Sequence, residues 1–167
     1  SIEDLGQSYL GMFWPHRNRG GRIRLHKDIF NPSSDFYKLV QEKRGGWQWT
    51  WAEVLAHEMG HLIDWLPDEM PGMQRGGLLG RLRTLTRSGE TQFVSSLDGS
   101  LVTKKAVTKE LKKLSLGWRP WFPEIALPAE KKYRNSGVEL YADFVSAVLV
   151  NPHYAKLTAP TFFNEWM

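Results

Sequence analysis

The sequence predicts an α+β domain, mostly helical, and three stretches carry that prediction. TWAEVLAHEMGHLIDWLPDE and SGVELYADFVSAVLVNP each read as a long helix with a capping residue before it and a proline near its end. RIRLHKDIF alternates apolar and polar residues, as a half-buried strand does. The 167 residues fit one domain with a real core, and no repeat or interdomain linker divides them.

In chain order, EDLGQSYLGMFW (3–14) reads as a short helix, followed by a turn at PHRNRGG. Residues 22–30 form the strand, with Ile23 and Leu25 on one face and Arg22, Arg24 and His26 on the other. A Ser or Asp cap predicts a helix over 34–43, ended by Gly45 and Gly46. Thr50 with Glu53 three residues on is a capping box, so a helix starts there and spans about 51–65, with Pro67 just beyond. A weaker, glycine-interrupted helix is expected near 76–87. TQFV and LVTK predict a hairpin with Asp98-Gly99 at its tip. Residues 107–117 read as a basic amphipathic helix, and WRPWFPEIALPAEKK as irregular. Ser136 caps the helix over 136–152, and APTFFNEWM predicts a short final one.

An apolar content of 41% argues for a folded chain, and no apolar run is long enough to span a bilayer. The acidic start has no basic n-region, so no signal peptide is expected. The chain starts without Met, which suggests a domain from a longer polypeptide, with a cytoplasmic setting expected. Cysteine is absent, so a metal site must be built from His and carboxylate. The net charge is +4, spread over groups such as Arg17 to Arg24, Arg75 to Arg87 and Lys104 to Lys113. Such a surface is either simply solvated or attracts nucleic acid or an acidic substrate.

His57, Glu58 and His61 form H-E-x-x-H inside the best-signalled helix. Residues four apart share a helix face, so both imidazoles can reach one Zn²⁺. Glu58 is then placed as general base toward a water molecule. Gly60 costs helix stability of order 1 kcal/mol, which the close approach of another backbone or of the metal site would explain. A third ligand is available in Glu139 on the second strong helix. Asp143, four residues on, can accept the second ring N–H of His57 or His61. Asp64 is the rival carboxylate, as a ligand or as a group that orients a histidine. His26 is another possible ligand or a group lining the cleft, while His16 and His153 have no pattern around them. Tyr133, six residues before Glu139, could reach a developing oxyanion, with Tyr141 as the alternative.

HEMGHLID with the downstream YRNSGVELYADF resembles the gluzincin metallopeptidases, in particular their lethal-factor-like branch. The ELYAD stretch, with its later Asn-Pro and APTFF, also looks like metallopeptidase domains embedded in multidomain proteins of phages and mobile elements. That origin would make the setting the host-cell cytoplasm. The resemblance covers the two helices, about a quarter of the chain. It implies a zincin-like fold, with a small mixed sheet packed on the H-E-x-x-H helix. It implies zinc held by His57, His61 and Glu139, Glu58 as the base and Tyr133 assisting the oxyanion. It also implies an edge strand that pairs with an extended substrate. RIRLH is the candidate, and its Arg22 and Arg24, with His26, would bind substrate and favour acidic side chains. The segment 66–132 is left to carry specificity.

Three functions follow: a zinc endopeptidase acting on a protein or peptide, a non-hydrolytic zinc-containing module that binds nucleic acid or a protein partner, and a hydrolase of a non-protein amide such as a cell-wall peptide. The absence of a signal peptide counts against the last, and no membrane partner is expected.

Overall fold

The structure, a computed structural model, describes residues 2–3, 10–14, 21–38, 50–69, 92–94 and 98–167. Within these the chain is a mostly helical α+β fold. Three short strands, β1 (Ile2–Glu3), β2 (Gly11–Trp14) and β3 (Arg22–His26), form a mixed sheet in the order β1-β3-β2. β1 is parallel to β3; β2 is antiparallel to it, with Gly11 opposite Leu25 and Trp14 opposite Arg22. The helix expected over 3–14 is therefore wrong where that segment is described. Met12, Phe13 and Trp14 pair across to β3, and such pairing overrides a helix-like spacing in so short a segment.

The register decides which way β2 faces. His26 N–H donates to Leu10 O at 2.9 Å. By the alternation of an antiparallel ladder, Met12 and Trp14 also turn their peptide groups toward β3, while Gly11 and Phe13 turn theirs outward. β3 itself ends at His26, earlier than expected. There the His26 Nδ1 accepts the N–H of Asp28 at 3.2 Å and starts a 3-10 turn, Lys27–Phe30. Ser34 Oγ accepts the N–H of Tyr37 at 3.1 Å and opens a helical turn at 35–38. The rest of the helix expected to 43, and the one expected over 76–87, lie outside the described residues.

The helix α1 (Trp51–Glu69) opens on its capping box: Thr50 N–H donates to Glu53 Oε2 at 2.6 Å, and Glu53 N–H to Thr50 Oγ1 at 3.3 Å. It continues past Pro67, whose missing N–H costs one bond in the last turns. β4 (Gln92–Val94) and β5 (Leu101–Thr103) form the expected hairpin; Asp98 Oδ1 accepts the Ser100 N–H at 2.9 Å and Gly99 takes a φ of 69°. α2 (Lys104–Trp118) starts three residues earlier than predicted because Thr103 Oγ1 accepts the Ala106 N–H and caps it.

Part of the Pro-rich segment is helical, as α3 (Pro128–Arg134). α4 (Gly137–Val150), α5 (Pro152–Thr158) and α6 (Pro160–Trp166) complete the chain. Pro152, read as a stop, also starts α5, since proline fits a first helical turn. Asn151 caps it, its Oδ1 accepting the Tyr154 N–H at 3.1 Å.

α4 is the central element and is buried without a break from Glu139 to Ala147. α2 covers one side through Val107, Leu111, Leu114 and Trp118, and Ala155, Ala159 and Phe162 of the last two helices close the same core. α1 lies on another side. A Cβ on Gly60 would sit 2.7 Å from the Cα of Ala142, so only glycine lets the two backbones meet. A second cluster, Leu10, Leu25, Ile29 and Val54, packs the sheet on α1. No helix among the described residues is long and apolar enough to cross a membrane.

Candidate metal centre

The close approach of α1 and α4 sets the site. His57 and His61 project from one face of α1, their rings 4.7 Å apart and edge-on. Glu139 enters from the first turn of α4, whose N-terminus is fixed by the Ser136 cap. His57 Nε2 lies 3.5 Å from Glu139 Oε2, and His61 Nε2 lies 3.3 Å from Glu139 Oε1. Ligands around zinc at bonds near 2.0–2.2 Å stand about 3.3–3.6 Å from one another; each imidazole lies at such a distance from one oxygen of Glu139, and one ligand atom from each of the three residues lies within 4.8 Å of the others. The three residues can hold a metal ion.

Asp143, one turn beyond Glu139 and fully buried, places Oδ1 3.0 Å from His57 Nδ1. That pairing leaves Nε2 of His57 facing the centre. Ser115 Oγ donates to Asp143 Oδ2 at 2.5 Å. Burial works to raise the pKa of Asp143, but Arg119 and His57 outweigh it and hold the carboxyl below its ordinary value. Glu139 behaves alike. Burial opposes its ionisation, yet His57, His61 and Arg119 keep it ionised far below the usual carboxylate range.

Arg119 is the member that sequence reasoning missed. It is buried, donates to Glu139 Oε2 at 2.8 Å and sets Nε 3.1 Å from Asp143 Oδ1. One of its terminal nitrogens is 3.5 Å from His57 Nε2. It lies in W-R-P-W, a stretch without periodicity. The signal that could have found it is indirect: two carboxylates on one buried helix face need a counter-cation.

Glu58, next to His57 on α1, meets β2 while staying within electrostatic reach of His57, His61 and Glu139. It is buried, and burial raises its pKa against the pull of His57 and His61; the Phe13 peptide N–H donates to it. A Cβ on Gly11 would stand 3.0 Å from Glu58 Oε1, so β2 lies directly on this carboxylate. Tyr133 is 54% exposed, with its hydroxyl within hydrogen-bonding reach of Glu139. Burial and the adjacent Glu139, toward which the hydroxyl donates, raise its pKa and keep it protonated.

The remaining expected residues fall elsewhere. β3 is the middle strand, so RIRLH does not provide the open edge. Arg22 is exposed, and Arg24 holds its guanidinium over the Trp14 ring at 5.6 Å. His26 is buried, stacked on Phe36 at 3.6 Å and used as a turn cap, which removes it from contact with a substrate. Asp64 lies near Tyr141, whose pKa it helps to raise, and Asp143 is the carboxylate on His57. Tyr141 is itself buried in the core and accepts from Trp166 Nε1.

Comparison of the chain with protein-family models, with curated proteins and with solved structures finds no match.

Proposed function

We propose that the chain is a zinc-dependent endopeptidase of zincin-like architecture, cleaving peptide bonds in a protein or peptide. The convergence of His57, His61 and Glu139 within 4.8 Å of one another, with Asp143 behind His57, is the observation that carries this reading. Zinc held there would lower the pKa of a water molecule and polarise the scissile carbonyl.

The residues of the chain supply the rest. Glu58, with its raised pKa, takes the proton of the attacking water and delivers it to the leaving amine. Tyr133 stays protonated and donates a hydrogen bond to the carbonyl oxygen as charge develops on it. β2 lies beside Glu58, and the outward peptide group of Gly11 is where an extended substrate would pair, the role the sequence had suggested for β3.

The test is the metal content of the purified chain, with Glu139→Ala and Glu58→Gln beside it. One zinc per chain is expected, lost or weakened in Glu139→Ala and kept in Glu58→Gln, with turnover of a peptide library abolished in both. A wild-type chain that takes up no zinc overturns the proposal. Salt-sensitive DNA binding independent of Glu58 would then favour the binding-module reading.

A further inference from the structure

We infer that the cavity between α2, the 119–127 segment and α3 is a docking groove for an acidic stretch of polypeptide that also carries apolar side chains. The inference rests on the reading of the chain as an endopeptidase and names the class of its substrate.

The cavity has a volume of about 270 Å³. Lys112, Lys131 and Arg134 line it together with Leu116, Trp121 and Leu140, and none of the described residues lining it is acidic. Arg134 is buried, with its guanidinium 5.6 Å from the Trp121 ring centre, and donates to the backbone oxygen of Arg119. Its charge is thus fixed in place before any ligand arrives, while the exposed Lys112 and Lys131 are able to adjust. In the segment that supplies Trp121 and Pro123 to the cavity, Phe122, Ile125 and Leu127 are 59%, 81% and 71% exposed. Three large apolar side chains so close in sequence and so exposed mark a contact surface. A carboxylate fits the cavity, and an apolar side chain next to it in the same partner fits the lip.

The buried placement of Arg134 in the cavity favours a chain over a bilayer, since a lipid surface cannot follow it inward. α3 also joins groove and site. Tyr133, whose hydroxyl reaches Glu139, is flanked on the same helix by Lys131 and Arg134. An extended substrate advances about 3.3 Å per residue, so one passing Tyr133 reaches the groove within a few residues.

The experiment is fluorescence anisotropy with labelled peptides on the Glu58→Gln chain, which cannot turn them over. A peptide of Leu and Glu is compared with one of Leu and Lys and one of Ser and Glu. Lys112→Glu with Lys131→Glu forms one variant, and Phe122→Ser with Ile125→Ser and Leu127→Ser another; all five positions are exposed, and circular dichroism checks folding. The Leu/Glu peptide is expected to bind best, and each variant to weaken it by about tenfold or more. Undiminished binding by both variants, or no binding to the parent, overturns the groove. So does binding of phosphatidylserine vesicles in place of peptide. Zinc content measured alongside separates the two readings: peptide binding without zinc keeps the groove and sinks the endopeptidase, and zinc with turnover but no peptide binding does the reverse.

Discussion

His57 and Asp143 are coupled across two helices: Nδ1 of the imidazole lies 3.0 Å from Oδ1 of the carboxylate. The contact fixes the ring and leaves Nε2 to face Glu139. Asp143→Asn keeps the shape but removes the charge. We expect zinc affinity to fall about 10–100-fold, read by competition with a chelator of known affinity.

Arg119 neutralises Glu139 and Asp143 together. In Arg119→Met the two carboxylates stay buried without it, and a stability loss of about 3–5 kcal/mol is expected in urea titration. Arg119→Lys should recover only part of this, because one ammonium cannot span both partners as the guanidinium fork does.

Gly60→Ala sets helix propensity against packing. Alanine would gain about 1 kcal/mol within the helix. Its Cβ, however, would meet Ala142 Cα at 2.7 Å and Ala142 O at 3.1 Å, atoms of a backbone that cannot swing aside. We expect packing to win, with a net loss of about 1–3 kcal/mol in thermal or urea unfolding and weaker zinc binding, as α1 and α4 are pushed apart.

Burial, with help from the Asp64 charge, holds the Tyr141 phenol up at about 12. An unfolded chain releases that proton near pH 10. Between these values the folded chain keeps a proton that the unfolded chain has lost, so stability is full below pH 10 and falls as pH rises toward 12, by about 2–3 kcal/mol. Tyr141→Phe should flatten this alkaline limb in urea titrations run across the range.

What the sequence made legible was local geometry. His57 and His61, or Glu139 and Asp143, share a face because one helical turn puts them there, and the capping residues Thr50 and Ser136 marked where those turns begin. The hairpin at Asp98-Gly99 was legible for the same reason. Strand order was not. RIRLH alternates like an edge strand, but whether a strand is flanked on one side or two depends on segments elsewhere, here Ile2–Glu3 and Gly11–Trp14. The misreading of His26 has the same origin, since Phe36 stacks on it from beyond the strand. Arg119 comes from a segment with no pattern, and only the buried acids that it meets give it a role.

The three candidate ligands are divided between two helices far apart in the chain, and neither helix holds the full set. A metal joining His61 to Glu139 would close a loop of about 80 residues, a crosslink of the kind a disulfide makes in other small domains. In a chain without cysteine, such a staple would be reversible by chelation. Removing the metal should then loosen the seam at Gly60 and Ala142 first, which makes amide hydrogen exchange along α1 a gauge of whether the two helices remain clasped.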